Sequence, residues 1–240
     1  MRRFFKRALS LLFPPRCSCC HEILPYYSDA VLCDSCAEKW EEEINAYCRV
    51  CRKNVSECTC VHDNCKRKVK KLFSVSAYSA SDSVTDRIVL SAKDQKDKKL
   101  FEFMAEKMVG AAYAGLPSLG DTLVTFVPRS EVTKRKIGHD QSEMLAKIVA
   151  RELGVTACAL LKKKGTRQQK TLRAKEREDN AKRSYVLRDG ACEKVKDRTL
   201  LLIDDVVTTG ASISACAELL LEAGAKEIYA LTFAKTVKRK

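Results

Sequence analysis

The sequence predicts an α/β protein built on a central parallel sheet with helices on both faces, preceded by a small cysteine-rich, metal-binding module. Three observations predict it. Apolar runs of strand length alternate with helical stripes from residue 72 onward. The strongest run, Leu200 to Ile203, is continuous rather than alternating, as a strand buried on both faces requires. Ten of the thirteen cysteines lie between Cys17 and Cys65.

The 240 residues, 45% of them hydrophobic, suffice for one ordinary domain with a buried core plus a small accessory one. The expected divisions are a short amphipathic segment over 1–16, a cysteine domain over 17–65 and an α/β domain over 72–240. Lys and Arg number 45 against 31 Asp and Glu, a formal net charge of +14. That balance favours partners carrying phosphate: nucleotides, nucleic acid or an acidic membrane surface. Eight thiolates holding two zinc ions would bring the charge to roughly +10, still basic.

In chain order, MRRFFKRALSLLFPPRC opens the sequence with mixed basic and apolar residues. Its longest apolar stretch, Ala8 to Phe13, is broken by Ser10 and falls far short of the ~20 residues of a transmembrane span, and no small-residue cleavage site follows. The expectation is a short amphipathic helix ended by Pro14 and Pro15, packed on the protein itself or lying on a membrane surface. Clustered cysteines in C-x-x-C pairs read as metal ligands in a reducing compartment, which points to the cytoplasm, with membrane contact at most peripheral.

Cys17, Cys20, Cys33 and Cys36 are two C-x-x-C pairs, twelve residues apart, at the spacing that delivers four thiolates to one tetrahedral ion. For a second ion the choice is Cys48, Cys51, Cys58 and Cys60, with Cys65 or His62 as alternatives and the C-x-x-C pairs interchangeable between ions. Cys19 is left spare, and Cys158, Cys192 and Cys216 read as ordinary residues. The ions are expected to be structural zinc, because this stretch has no evident core of its own.

The basic run Lys66 to Lys71 marks the break between the two parts. LFSVSAY (Leu72 to Tyr78) reads as a strand, and Asp82 as the cap of a helix with Val84, Ile88 and Ala92 on one face. Leu100, Met104 and Met108 mark a second helix. Leu123 to Val127 is a second buried strand. Asp140 with Glu143 forms a capping-box-like start for a helix using Met144, Leu145, Ile148 and Val149, stopped at Gly154. Lys162 to Arg183 is basic and without a helical stripe, and is read as a mobile loop. After Leu200 to Ile203 come a turn, a helix with Ile213, Ala217 and Leu220 on one face, a stop at Gly224, and a last strand, IYALTF.

The chemistry concentrates in LLLIDDVVTTGAS, Leu200 to Ser212. Asp204 and Asp205 follow a buried strand, at the carboxyl edge where open α/β sheets bind ligands. Thr208, Thr209, Gly210 and Ser212 then combine hydroxyls with a glycine just before a helix, an anion cradle with the positive end of the helix dipole aimed into it. Neither a Walker A loop nor G-x-G-x-x-G occurs, which removes the main support for nucleoside triphosphatase and dinucleotide-binding readings.

On these residues the segment Ile203 to Ser212 resembles the 13-residue motif of type I phosphoribosyltransferases. The resemblance implies that Asp204 and Asp205 hold the ribose 2- and 3-hydroxyls of phosphoribosyl pyrophosphate. It implies also that Val207, Thr208, Thr209, Gly210, Ala211 and Ser212 surround the 5-phosphate. PPRCSCC, VPRSEVTKRKIGHDQSEMLA, RQQKTLRAKERE with Asn180 and a last strand ending in FAKT extend the likeness to the ComF (competence protein F) family, a zinc-ribbon module followed by a type I phosphoribosyltransferase fold. One departure stands out: Ile137-Gly138-His139-Asp140-Gln141 replaces the usual R-G-[FY]-N-Q, with Arg135 and Lys136 close by.

What the resemblance implies further is that Pro128, Arg129 and Ser130 contact pyrophosphate. A basic loop with Gln168, Lys170 and Arg173 closes over the site, and magnesium accompanies phosphoribosyl pyrophosphate. It implies a protein that binds phosphoribosyl pyrophosphate or a nucleotide and serves natural competence, helping single-stranded DNA inward alongside the DNA-uptake machinery at the inner face of the membrane. The alternatives are a working phosphoribosyltransferase of nucleotide salvage or biosynthesis, and a non-catalytic sensor of phosphoribosyl pyrophosphate.

Overall fold

The computed structural model describes residues 14–26, 28–45, 53, 54, 58, 60, 65, 68–78, 82–94, 97–113, 115, 116, 119–164 and 184–236. Five strands form one parallel sheet: β1 (Leu72–Tyr78), β2 (Thr122–Phe126), β3 (Thr156–Ala157), β6 (Thr199–Val207) and β7 (Glu227–Thr236). Their order is β1-β7-β6-β2-β3, which puts β6 in the middle. Two shorter strands, β4 (Leu161–Lys163) and β5 (Tyr185–Leu187), pair antiparallel beside it.

The period-two alternation of a strand divides the apolar residues of β6 between two cores. Leu201 and Ile203 join Val124, Phe126, Leu231 and Phe233 on one face, with helices α2 (Val84–Asp94), α3 (Lys98–Tyr113) and α5 (Gln141–Leu153). Leu200 and Leu202 join Leu123, Ile228 and Ala230 on the other, with α6 (Ala191–Val195), α7 (Ala211–Glu222) and the β4–β5 hairpin. Both sides of the middle strand are therefore dry, which is why its sequence is apolar without interruption. The expected parallel α/β fold, the strands at Leu72, Leu123 and Leu200, and the helix from Asp140 to Gly154 are all present.

Two expectations are corrected. Asp82 does not cap α2; it lies at a φ of 64° and its carboxylate pairs with Arg87. The cap is Ser83, whose hydroxyl accepts from the Asp86 N–H at 3.1 Å while the Asp86 carboxylate accepts from the Ser83 N–H at 3.3 Å. The carboxylate of Glu43 completes this end, accepting from the Val84 and Thr85 N–H groups at 2.7 and 2.9 Å. Lys162 and Lys163 belong to β4 rather than to a loop, because Lys162 pairs with Val186 and Lys163 with Tyr185. The rest of the basic stretch, 165–183, and the expected amphipathic helix before Pro14 lie outside the described residues.

The cysteine module shares the sheet's first core. Helix α1 (Asp34–Ile44) carries Trp40, 2% exposed, whose ring stacks on Phe233 of β7 at 6.3 Å and meets Phe103 of α3 at 5.1 Å. Cys17, Leu24, Leu32 and Cys36 belong to the same buried cluster. Among the described residues no helix is long and apolar enough to cross a membrane.

Candidate sugar-phosphate site and metal centre

Strand β6 runs two residues beyond Ile203 and its two acids, because its register with the long β7 continues to Val207 opposite Lys235. Asp204 and Asp205 therefore stand within the last turn of pleat of the strand rather than after it, 9% and 8% exposed. Asp204 accepts from the Ser142 hydroxyl at 3.0 Å and from the Asp205 N–H at 3.0 Å. Burial, and then the charge of Asp205, push the Asp204 carboxyl well above the ordinary carboxylate range. Asp205 accepts from Arg129 Nη2 at 3.0 Å and from the Val206 N–H at 2.8 Å.

The loop after β2 delivers Arg129. Its backbone N–H donates to the Asp140 carboxylate at 2.8 Å, and that carboxylate also accepts from the Glu143 N–H at the start of α5, 3.4 Å away. Lys134 lies 3.4 Å from the same carboxylate. Asp140 thus ties the Arg129 loop to the helix whose second residue, Ser142, holds Asp204. Ser130 caps α4 (Glu131–Ile137), its hydroxyl accepting from the Thr133 N–H at 3.2 Å. At the departure from the usual motif, His139 and Gln141 are buried, and Nε2 of each lies within 3.2 Å of the Ala92 carbonyl.

Beyond Val207 the chain turns through Thr208, Thr209 and Gly210 into α7. Gly210 adopts φ 78°, a left-handed conformation that glycine accepts without strain. As the residue before the helix it has no side chain to cap the first turn, and the Ala211 N–H donates instead to the Thr209 hydroxyl at 3.4 Å, with the helix dipole behind this turn. One edge of the sheet thus gathers two carboxylates, a guanidinium and a helix N-terminus with hydroxyls at its entrance. Acids accept from a sugar diol, and N–H groups and a guanidinium donate to phosphate.

The first four cysteines come together as their spacing predicts: the sulfur atoms of Cys17, Cys20, Cys33 and Cys36 all lie within 4.8 Å of one another. A tetrahedral zinc thiolate with ~2.3 Å bonds needs sulfur separations of about 3.8 Å, and Cys20 and Cys33 stand 3.6 Å apart. Burial pushes the Cys17 thiol up, but hydrogen bonds from the backbone at Cys20, Cys33 and Cys19 outweigh it and bring the thiol down to about 7. Burial and the neighbouring Cys33 thiol push Cys36 the other way, so a soft metal ion held by the four sulfur atoms would displace protons on binding. Of the second set, Cys48 and Cys51 lie outside the described residues, as do Lys170 and Arg173. Cys58 is fully buried, and its sulfur accepts from the Cys60 N–H at 3.4 Å, repeating the 3.4 Å bond from the Cys19 N–H to Cys17.

Sequence reasoning missed Ser142 and the second role of Asp140. The only signal was the serine two places after a capping aspartate, and it carries no message until the helix start is known to face the acids.

This geometry defines an α/β protein with two carboxylates, a guanidinium and a glycine turn gathered at one edge of its sheet, and a cluster of four thiols in the module that precedes it. Residues 139–240 match the family model of the phosphoribosyl transferase domain. Solved structures give more distant likenesses. The allosteric regulatory enzyme of purine biosynthesis aligns with a TM-score of 0.41 at 17% identity, over 62% of this chain and 30% of that one. A hypoxanthine phosphoribosyltransferase from Staphylococcus aureus gives 0.36 at 9% identity, over 58% and 74%. An adenine phosphoribosyltransferase from Leishmania tarentolae gives 0.35 at 19% identity, over 58% of each chain. No curated protein matches.

Proposed function

We propose that this chain binds phosphoribosyl pyrophosphate with magnesium at the carboxyl edge of its sheet and transfers the phosphoribosyl group to a nitrogen acceptor. The observation that carries this reading is the adjacency of Asp204 and Asp205 to the Gly210 turn in one continuous stretch, inside the part that matches the transferase domain. The carboxylates accept from the ribose hydroxyls, and the turn from Val207 to Ser212 surrounds the 5-phosphate. Arg129 exchanges its bond with Asp205 for the pyrophosphate once the diol occupies that carboxylate. In the reaction the bond from C1 to the pyrophosphate oxygen breaks with its electron pair leaving on pyrophosphate. A bond from the acceptor nitrogen to C1 forms, and the nitrogen gives up its proton. Magnesium, when bound, neutralises the leaving charge.

Pyrophosphate release measured across a panel of purine and pyrimidine bases tests the reaction. Release with at least one base that vanishes in Asp204→Asn/Asp205→Asn is the expected result. Tight binding of phosphoribosyl pyrophosphate without release from any base would leave a sensor in place of a transferase.

A ComF-type role in taking up single-stranded DNA is the second reading, favoured by one observation: a four-thiol module built into the same core as the transferase-type domain. Its test is single-stranded DNA binding by the full chain at several salt concentrations. The expected affinity falls steeply with salt and drops on charge reversal at Lys162, Lys163 and Lys164. Affinity indifferent to both would remove this role and leave the transferase reading standing.

A further inference from the structure

The linker between the cysteine module and β1 is fastened to the anion-binding turn by side chains. Cys65 begins a tight turn in which its carbonyl accepts from the Lys68 and Val69 N–H groups at 3.0 and 3.1 Å. The Cys65 thiol, 1% exposed, donates to the Gly210 carbonyl at 3.2 Å. That carbonyl also accepts from the Ser214 N–H at 2.8 Å, the bond that closes the first turn of α7. Lys68 reaches the same turn from outside, its ammonium donating to the Ser214 hydroxyl at 2.9 Å and to the Glu218 carboxylate at 3.0 Å.

We propose that Cys65 and Lys68 are positioning residues for the 5-phosphate, holding the Gly210 turn and the first turn of α7 in the anion-binding conformation before the ligand arrives. This rests on the sugar-phosphate reading of the site. Glycine has more backbone freedom to lose than any other residue, so an unsupported turn at Gly210 would have to be ordered by the ligand itself, and affinity would fall accordingly. Two groups from outside the loop remove that freedom in advance. A carbonyl oxygen can only accept, so the buried thiol makes this 3.2 Å contact as an S–H donor. A thiolate bound to a metal has no proton to give the carbonyl, so this role and that of zinc ligand exclude each other.

The test uses the full-length, zinc-loaded protein in magnesium, with ribose 5-phosphate and magnesium pyrophosphate as separate calorimetric probes and zinc content measured alongside. Cys65→Ala is expected to weaken ribose 5-phosphate about fivefold, the effect of one lost hydrogen bond. Cys65→Ser, which keeps a donor, should bind it within about twofold of wild type. Pyrophosphate affinity and zinc content should not change in either. Lys68→Met gives an independent arm, with a loss of roughly threefold or more for ribose 5-phosphate alone. Equal binding of ribose 5-phosphate by wild type, Cys65→Ala and Lys68→Met would overturn the positioning role and leave the site reading intact. Loss of zinc in both Cys65→Ala and Cys65→Ser would overturn it in favour of a metal ligand. A wild type that binds no ribose 5-phosphate overturns both the site reading and this one.

Discussion

Asp204 stands in a place that opposes its charge. Among the described residues its side-chain hydroxyl partner is Ser142, its neighbour is another acid, and fully buried Cys216 lies near it. Because its native pKa is raised above the ordinary 3.8, the folded state holds its proton more tightly than the unfolded chain does. The stability this group contributes is complete below 3.8 and is lost as pH rises from there through the raised native value. Asp204→Asn should therefore melt higher than wild type at pH 7, by roughly 2–4 °C for each kcal/mol relieved in a chain of this size, with the gap closing as pH approaches 4. Melting curves at pH 4 and 7 check it; a variant less stable than wild type at pH 7 would contradict the burial penalty. Arg129→Ala should weaken magnesium pyrophosphate by ~10- to 100-fold, the range for one charge-assisted hydrogen bond, while ribose 5-phosphate keeps most of its affinity. Competition binding measures both. At this scale the sequence was legible only where the site is contiguous. The acids and the Gly210 turn could be read because one strand and one helix carry them. The bonds from Arg129 and Ser142 could not, because they join positions 76 and 62 residues apart.

Among the elements, strands and helices followed from period and capping residues, but their ends did not. A carboxylate at position 82 looks like a cap until the left-handed backbone there turns it toward Arg87 and leaves the role to Ser83. The β4–β5 pairing was unreadable because each strand has three residues, too few for alternation to register. Where β1 meets the end of α3, the ring of Phe73 comes so close to Gly115 that an added Cβ would lie 2.5 Å from it. Gly115→Ala should therefore destabilise the fold by about 1–3 kcal/mol, the usual range for overpacking. Denaturant unfolding reads this directly, and an unchanged midpoint would mean that the ring can yield.

For the whole molecule, the cysteine module and the sheet share one core, with Trp40 as the pin between α1, α3 and β7. The spacing of Cys17, Cys20, Cys33 and Cys36 predicted the four-thiol cluster, but nothing local revealed that the module would be buried against the sheet, since a single tryptophan carries that message. Trp40→Ala is expected to cost about 3–5 kcal/mol, and a zinc chelator to lower the melting temperature of the entire chain rather than to release the module alone. A chelated protein with an unchanged main transition would show that the two parts fold independently.

All of the proposed chemistry depends on a ribose phosphate binding at the carboxyl end of β6. The most direct measurement is calorimetry of phosphoribosyl pyrophosphate in magnesium with wild type and with Asp204→Asn/Asp205→Asn. Saturable one-site binding to wild type that requires magnesium and is lost in a double variant of unreduced melting temperature is the expected result. Equal affinity for both proteins, or no binding to either, would contradict it.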